Sequence, residues 1–151
     1  MGLVCLGNIC RSPMADVVLA QRVDDAGLAG VIEVASCGTG GWHVGQPMDP
    51  RAAATLAAEG YDPERHRAQQ YDATWPDRFD LLLAMDDDNL ADIGGPGERV
   101  RLFRDFDPVG PGPVPDPYYG GPSGFDEVLQ MVERTAAALV TALAARLAPP
   151  Y

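Results

Sequence analysis

The stretch Leu3-Val4-Cys5-Leu6-Gly7-Asn8-Ile9-Cys10-Arg11-Ser12-Pro13 runs from an apolar strand, through two turn formers, into a helix start. Gly7 and Asn8 tolerate the backbone angles that a tight loop demands. Ser12 suits a helix N-cap and Pro13 the first helical position. Met14, Val17 and Val18 then follow at helical spacing. A short loop closing onto a helix N-terminus turns successive backbone N–H groups inward, and the positive end of the helix dipole reinforces them. Leu6, Gly7, Asn8, Ile9, Cys10, Arg11 and Ser12 are therefore read as an anion cradle. Arg11 can grip two phosphoryl oxygens at once. A thiol at the base of such a cradle sits in a field that favours thiolate. The stretch thus supplies a phosphate site and a nucleophile, Cys5, together.

Outward from this segment the chain alternates strand and helix. The pattern predicts a strand over 1–5, a helix over 13–26 ending near Gly27, a second strand from Val31 to Ala35, and a Gly-rich loop from Cys37 to Gly45. Asp49-Pro50 is an N-cap and N1 pair opening a helix that stops at Gly60. Phe79 to Ala84 is a nearly continuous apolar run, as in a strand buried on both faces. Asp86 to Ile93 reads as a short helix and Val100, Leu102 and Phe103 as a fourth strand. A Pro- and Gly-rich loop follows from about Arg104 to Pro122, long enough to be functional or disordered. From Phe125 to Leu147 apolar residues recur at threes and fours, predicting one amphipathic helix ended by Pro149-Pro150. The alternation implies a single α/β domain over 1–151 with a parallel sheet flanked by helices. Ligands in such sheets bind beyond the carboxyl ends of the strands, where Cys5, Ser36, Asp86 and the Pro-rich loop would converge. Only four residues precede Cys5, so the first strand is expected to be short or to begin upstream.

Composition narrows the function. The 46% hydrophobic content argues against disorder, and the net charge of −11 argues against nucleic acid, whose capture needs a basic surface. No uninterrupted apolar run approaches the roughly 20 residues of a bilayer span, and no export signal opens the chain. A cytoplasmic protein with no membrane partner is expected, with its three cysteines as free thiols. The acidic surface steers anionic substrates poorly, so preferred substrates are expected to carry basic residues beside the phosphate. No metal or other cofactor is implied: the two histidines lie far apart, and Asp86-Asp87-Asp88 lacks the spaced ligands of a calcium loop.

Val4 to Pro13 resembles the signature of the low-molecular-weight protein tyrosine phosphatases, and Asp116-Pro117-Tyr118-Tyr119-Gly120 resembles that family's second motif. Weaker matches lie between them, in the family's order: Ser36-Cys37-Gly38-Thr39, Trp42-His43, His66-Arg67-Ala68, and Ala84-Met85-Asp86 with Asn89. The chain looks like a bacterial, actinobacterial-like member. The resemblance implies a four-stranded parallel sheet and hydrolysis of phosphotyrosine and aryl phosphates through a cysteinyl-phosphate, without metal.

In that scheme Cys5 attacks phosphorus, and Arg11 holds equatorial oxygens. Ser12 has two compatible jobs, helix cap and hydroxyl donor to the thiolate. The resemblance selects Asp116, over Asp105 or Asp107, as the acid that protonates the leaving group and then activates water. It places Ile9, Trp42, Tyr118 and Tyr119 around the mouth, where aromatic walls would sandwich a phenyl ring. It also implies that Asn8 and Ser36 support the loop by a hydrogen bond. His66, and similarly Asp86, are read as props rather than catalysts. Cys10 could close a reversible disulfide with Cys5 against over-oxidation. Cys37 stands where the family usually has Ala and is read as a small buried filler. Two rivals remain: arsenate reduction on the same fold, which needs two further relay cysteines, and a phosphate-dependent binding module without turnover. Phosphotyrosine-containing proteins are the expected partners, with phosphate and similar oxyanions as ligands.

Overall fold

The computed structural model describes residues 1–121 and 123–147. Four short strands form one parallel sheet in the order β2-β1-β3-β4. They are β1 (Gly2–Cys5), β2 (Ala35–Gly38), β3 (Leu82–Ala84) and β4 (Val100–Leu102). The helices are α1 (Arg11–Asp25), α2 (Pro50–Ala58), α3 (Trp75–Arg78), α4 (Asp87–Asp92) and α5 (Ser123–Leu147), with a 3₁₀ turn at Phe103–Phe106. β1 is buried along its whole length and pairs with β2 on one side and β3 on the other. Alternate side chains serve opposite faces. Leu3, Cys5, Leu83 and Met85 join the core beneath α1 and α5, whereas Val4, Cys37, Leu82 and Ala84 join a second cluster around Trp75 and Phe79.

Several expected boundaries move. The second strand is Ala35–Gly38, not Val31 to Ala35. Val31 is 67% exposed, and the ladder runs from Gly2↔Ala35 to Cys5↔Gly38. The partner strand, not β propensity, chooses the segment. Small residues are needed there because the loop after β1 lies on it: a Cβ at Gly38 would stand 2.6 Å from the Leu6 carbonyl oxygen. Cys37 and Gly38 therefore belong to the sheet rather than to the Gly-rich loop. Of the apolar run 79–84 only Leu82–Ala84 is strand. Phe79 instead closes α3, its ring 4.8 Å from that of Trp75. Phe103 leaves β4 to open the 3₁₀ turn.

α1 begins at Arg11, with Cys10 as its N-cap and no side-chain cap. Ser12 is thus not the cap, and Pro13 lies inside the first turn. The helix starts early because the Met14 N–H already reaches the Cys10 carbonyl at 3.1 Å. Asp49 does cap α2, accepting from the Arg51 N–H at 2.8 Å, and Asp86 caps α4 through the Asn89 N–H at 2.8 Å.

The loop after Phe106 lacks regular structure but is pinned. The buried Asp107 carboxylate accepts from Arg104 Nε and Arg134 Nε, each at 2.9 Å, and Val114 N–H donates to the Met85 carbonyl at 2.7 Å. α5 is long and apolar enough to cross a bilayer by length and composition. Its Phe125, Val128, Leu129, Val132, Ala136, Leu139 and Val140 are nonetheless buried in the core, and its main neighbour is α1. Burial of that stripe is what a helix packed on a sheet requires. The expected Pro149-Pro150 stop, like Pro122, falls outside the described residues.

Candidate active site

The loop from Leu6 to Cys10 turns its carbonyls outward. Those of Cys5, Leu6, Ile9 and Cys10 accept from the N–H groups of Thr39, Gly40, Asp49 and Met14 at 2.9–3.1 Å. The Asn8 carbonyl accepts from His66 Nε2 at 2.7 Å. With the carbonyls of Leu6, Asn8, Ile9 and Cys10 committed outside, the loop amides are left to the enclosed side. Asn8 N–H lies 3.2 Å from Cys5 Sγ, and among the described residues no protein acceptor meets the amides of Gly7, Ile9, Cys10 and Arg11. Amides without a protein acceptor around one enclosed space are the arrangement that an anion nest requires.

Asn8 carries the strain of the turn. It is the one described non-glycine residue with positive φ, 56°. Its fully buried side chain compensates with three bonds: Nδ2 donates to Ser12 Oγ at 2.8 Å and Ser36 Oγ at 3.0 Å, while Oδ1 accepts from the Gln69 N–H at 2.9 Å. The expected Asn8–Ser36 support is present, and Ser36 performs it from inside β2 rather than after it. Burial pushes the His66 imidazole below its usual pKa, and as a neutral ring it donates to Asn8 from Nε2. Ser12 Oγ stands 2.9 Å from Cys5 Sγ, so freed from capping it can donate to the sulfur.

Arg11 is 3% exposed. Its Nη1 donates to Asp86 Oδ2 at 2.6 Å and to the Val114 carbonyl at 3.2 Å, fixing one edge of the guanidinium. Nη2 stands 3.7 Å from Asp116 Oδ2. Asp86 is therefore more than a helix start or a general prop: it is the counter-ion that aims Arg11. Asp116 lies in the pinned loop, with Oδ1 accepting from the Tyr118 N–H at 3.1 Å.

Cys5, Leu6, Gly7, Ile9, Cys10, Arg11, Asp116 and the aromatic residues Trp42, Tyr118 and Tyr119 line one cleft of about 290 Å³. Trp42 and Tyr119 are largely exposed at its rim, and the two tyrosine rings meet edge to face at 4.9 Å. His43 also lines the cleft and packs over Gly7, where a Cβ would meet its ring at 3.2 Å. The sequence flagged His43 only as half of a weak motif beside Trp42. The expected site residues border this space except the supporting residues Ser36, His66 and Asp86 and the buried Asn8 and Ser12. Those five stand behind it.

Burial, aided by the Asp49 carboxylate, pushes Cys10 up to about 12, so it is a protonated thiol at neutral pH. Burial likewise raises Cys37, which is fully enclosed on the opposite face of the sheet with Val4 and Trp75. It is the small filler that the sequence suggested.

This geometry agrees with comparisons to known proteins. Residues 1–148 match the family model described as low molecular weight phosphotyrosine protein phosphatase. A low molecular weight protein-tyrosine-phosphatase of Streptomyces coelicolor is 48% identical over 149 residues, covering 93% of this chain and 90% of that protein. The crystal structure of an Entamoeba histolytica protein tyrosine phosphatase with Hepes in its active site superposes with a TM-score of 0.90 at 31% identity, covering 96% of each chain. Vibrio vulnificus Wzb in complex with benzylphosphonate superposes at 0.82 with 26% identity, covering 93% of this chain and 96% of that one. The chain belongs to the low-molecular-weight phosphotyrosine protein phosphatase family, a class of phosphoric monoester hydrolases. The arsenate-reductase alternative is not favoured by these relatives.

Proposed function

We propose that the chain, as one catalytic domain over 1–151, dephosphorylates phosphotyrosine in cytoplasmic proteins through a cysteinyl-phosphate on Cys5. The observation that carries this reading is the placement of Cys5 Sγ under inward-facing amides, with Arg11 and Asp116 on the same cleft.

A phosphate dianion entering the nest accepts from the loop amides and the free edge of Arg11. Cys5 Sγ attacks phosphorus in line. The P–O bond to the leaving group breaks, and Asp116 gives its proton to the departing oxygen. In the second step Asp116 takes a proton from water as the water attacks phosphorus. The S–P bond breaks, and the thiolate leaves into hydrogen bonds from Ser12 and the Asn8 N–H. Arg11 and the amides are already oriented, so little reorganisation accompanies the rise in charge. The walls of Ile9, Trp42, Tyr118 and Tyr119 suit an aromatic ester whose ring spans from the rim to Cys5. Benzylphosphonate, held by Wzb, has this kind of ligand chemistry. A binding module without turnover has no use for an acid over the nest.

The test compares kcat/KM for phosphotyrosine and phosphoserine versions of one peptide, each with basic or acidic flanks, at low salt. A strong preference for phosphotyrosine with basic flanks supports the reading. Equal use of both phosphoamino acids would remove the aromatic slot from the account, and equal use of both flanks would remove the role of the −11 net charge.

A further inference from the structure

Arg51, at the start of α2, joins two walls of the cleft that are distant in sequence. On one side its Nε and Nη2 donate to the two oxygens of Asp49 at 3.1 and 3.0 Å. The Asp49 N–H in turn donates to the Ile9 carbonyl of the phosphate-binding loop at 2.9 Å. On the other side Arg51 Nη1 donates to the Tyr118 carbonyl at 3.0 Å. Its guanidinium also lies over the rings of Tyr118, 5.3 Å from the centroid, and Phe125, 4.8 Å. The Tyr118 N–H holds Asp116 Oδ1 at 3.1 Å. A continuous chain of contacts therefore runs from Ile9 through Asp49, Arg51 and Tyr118 to Asp116.

Asp116 stands between two anchors. Upstream, Val114 is fixed to Met85 by a backbone bond of 2.7 Å. Downstream, Tyr118 is fixed by Arg51. Between these anchors Asp116 also faces Arg11 Nη2 at 3.7 Å and is followed by the buried Pro117, but the one backbone bond near the motif, Gly120 N–H to the Pro117 carbonyl, is local to the loop, so Arg51 supplies the hydrogen bond that ties Tyr118 to the rest of the fold. We infer that Arg51 is a positioning residue for the reaction: it ties the loop that carries Asp116 to the wall of the phosphate nest, and so sets the distance between the acid and the leaving oxygen. Proton transfer needs that distance within hydrogen-bond reach. The planar fork suits this task, since one side chain chelates a carboxylate, donates to a carbonyl and stacks on two rings. A lysine cannot do all three.

The inference rests on Asp116 being the acid, and the test separates the two ideas. The ratio of kcat/KM for 2,4-dinitrophenyl phosphate to that for phenyl phosphate is measured for the native chain, Arg51→Met, Arg51→Lys, Asp116→Ala and the double variant Arg51→Met/Asp116→Ala. The dinitrophenolate leaves readily without a proton, whereas phenolate needs one. Loss of acid positioning therefore raises the ratio, and a general loss of folding or binding does not. Arg51→Met is expected to raise it about tenfold, a part of the roughly 10²–10⁴-fold that acid catalysis contributes in full. Arg51→Lys should raise it less, and the double variant should match Asp116→Ala alone. An unchanged ratio in Arg51→Met, or a double variant whose ratio is the product of the two single effects, would overturn the role of Arg51. An unchanged ratio in Asp116→Ala would overturn the acid assignment and this inference with it. Should Arg51→Met not fold, Arg51→Lys carries the same comparison.

Discussion

Replacing Asp86 with Asn isolates the contact that aims Arg11. Asn keeps the size of the side chain and an oxygen able to cap α4, but it removes the charge facing Arg11 Nη1 at 2.6 Å. Charge-assisted bonds of this kind contribute about 1.5–3 kcal/mol. Breaking a fully buried pair costs about 3–5 kcal/mol because one ion is left uncompensated. Here the Arg11 side chain is 4% exposed and that of Asp86 26%. Water reaches the acidic partner but barely reaches the basic one, which puts the expected loss at about 2–3 kcal/mol. For a chain of this length that is a fall in melting temperature of about 4–12 °C. Urea unfolding in phosphate-free buffer measures it. The decisive arm is a double-mutant cycle with Arg11→Met. Without the guanidinium, Asp86→Asn removes a carboxylate that has already lost its partner, so its cost should disappear or change sign. Additive losses would refute the claim that Asp86 acts through Arg11. Turnover should fall by about 10²-fold in Asp86→Asn, the scale of a lost transition-state donor.

Three further outcomes concern Asp16, Asp107 and the three thiols. Burial raises Asp16 from 3.8 to about 6, against the opposing pull of the Ser36 hydroxyl and the terminal ammonium. A carboxyl raised in the fold favours folding while protonated, and that benefit is lost as pH rises from about 4 to about 6. At pH 7.5 Asp16→Asn should therefore be more stable than the native chain by about 1–3 kcal/mol in urea unfolding, with the gain gone below about pH 4. A less stable variant at pH 7.5 would contradict this. Asp107 has the opposite sign: burial works to raise it, but bonds from Arg134, Arg104 and the Val109 N–H prevail and hold it at about 2. Its contribution is complete above about pH 4 and drains away as pH falls toward 2. Asp107→Asn should flatten that part of the acid-unfolding profile, and an unchanged profile would contradict the assignment. Mild peroxide followed by mass spectrometry should find a Cys5–Cys10 bridge with Cys37 reduced, since Cys37 faces the other side of the sheet. Bridges through Cys37 would contradict it.

The parts legible in the sequence were those whose partners are neighbours along the chain. The strand, loop and helix around Cys5 are contiguous, so turn formers, apolar spacing and the Cys and Arg positions could be read together. Asp49-Pro50 and the periodic α5 were legible for the same reason. What stayed hidden depends on contacts across the fold. Asp86 looks like a solvated helix start in an Asp-Asp-Asp run, and only the approach of a residue 75 positions away makes it the partner of Arg11. Ser12 looks like a cap because Ser-Pro is a good helix opening, yet its hydroxyl is drawn to Cys5 and Asn8. β2 was misplaced because Val31 to Ala35 is more strand-like than Ala-Ser-Cys-Gly. The small residues are required by the loop that lies on them, which local propensity does not register. Arg51 carries no motif signal, because its value lies in meeting Tyr118, 67 residues on.

A thiolate mechanism on Cys5 is decided by p-nitrophenyl phosphate hydrolysis in EDTA with reducing agent, for the native chain and Cys5→Ser. Steady metal-free turnover is expected, vanishing in Cys5→Ser while the variant still binds phosphate. Turnover that survives Cys5→Ser, or that EDTA abolishes in the native chain, would contradict it.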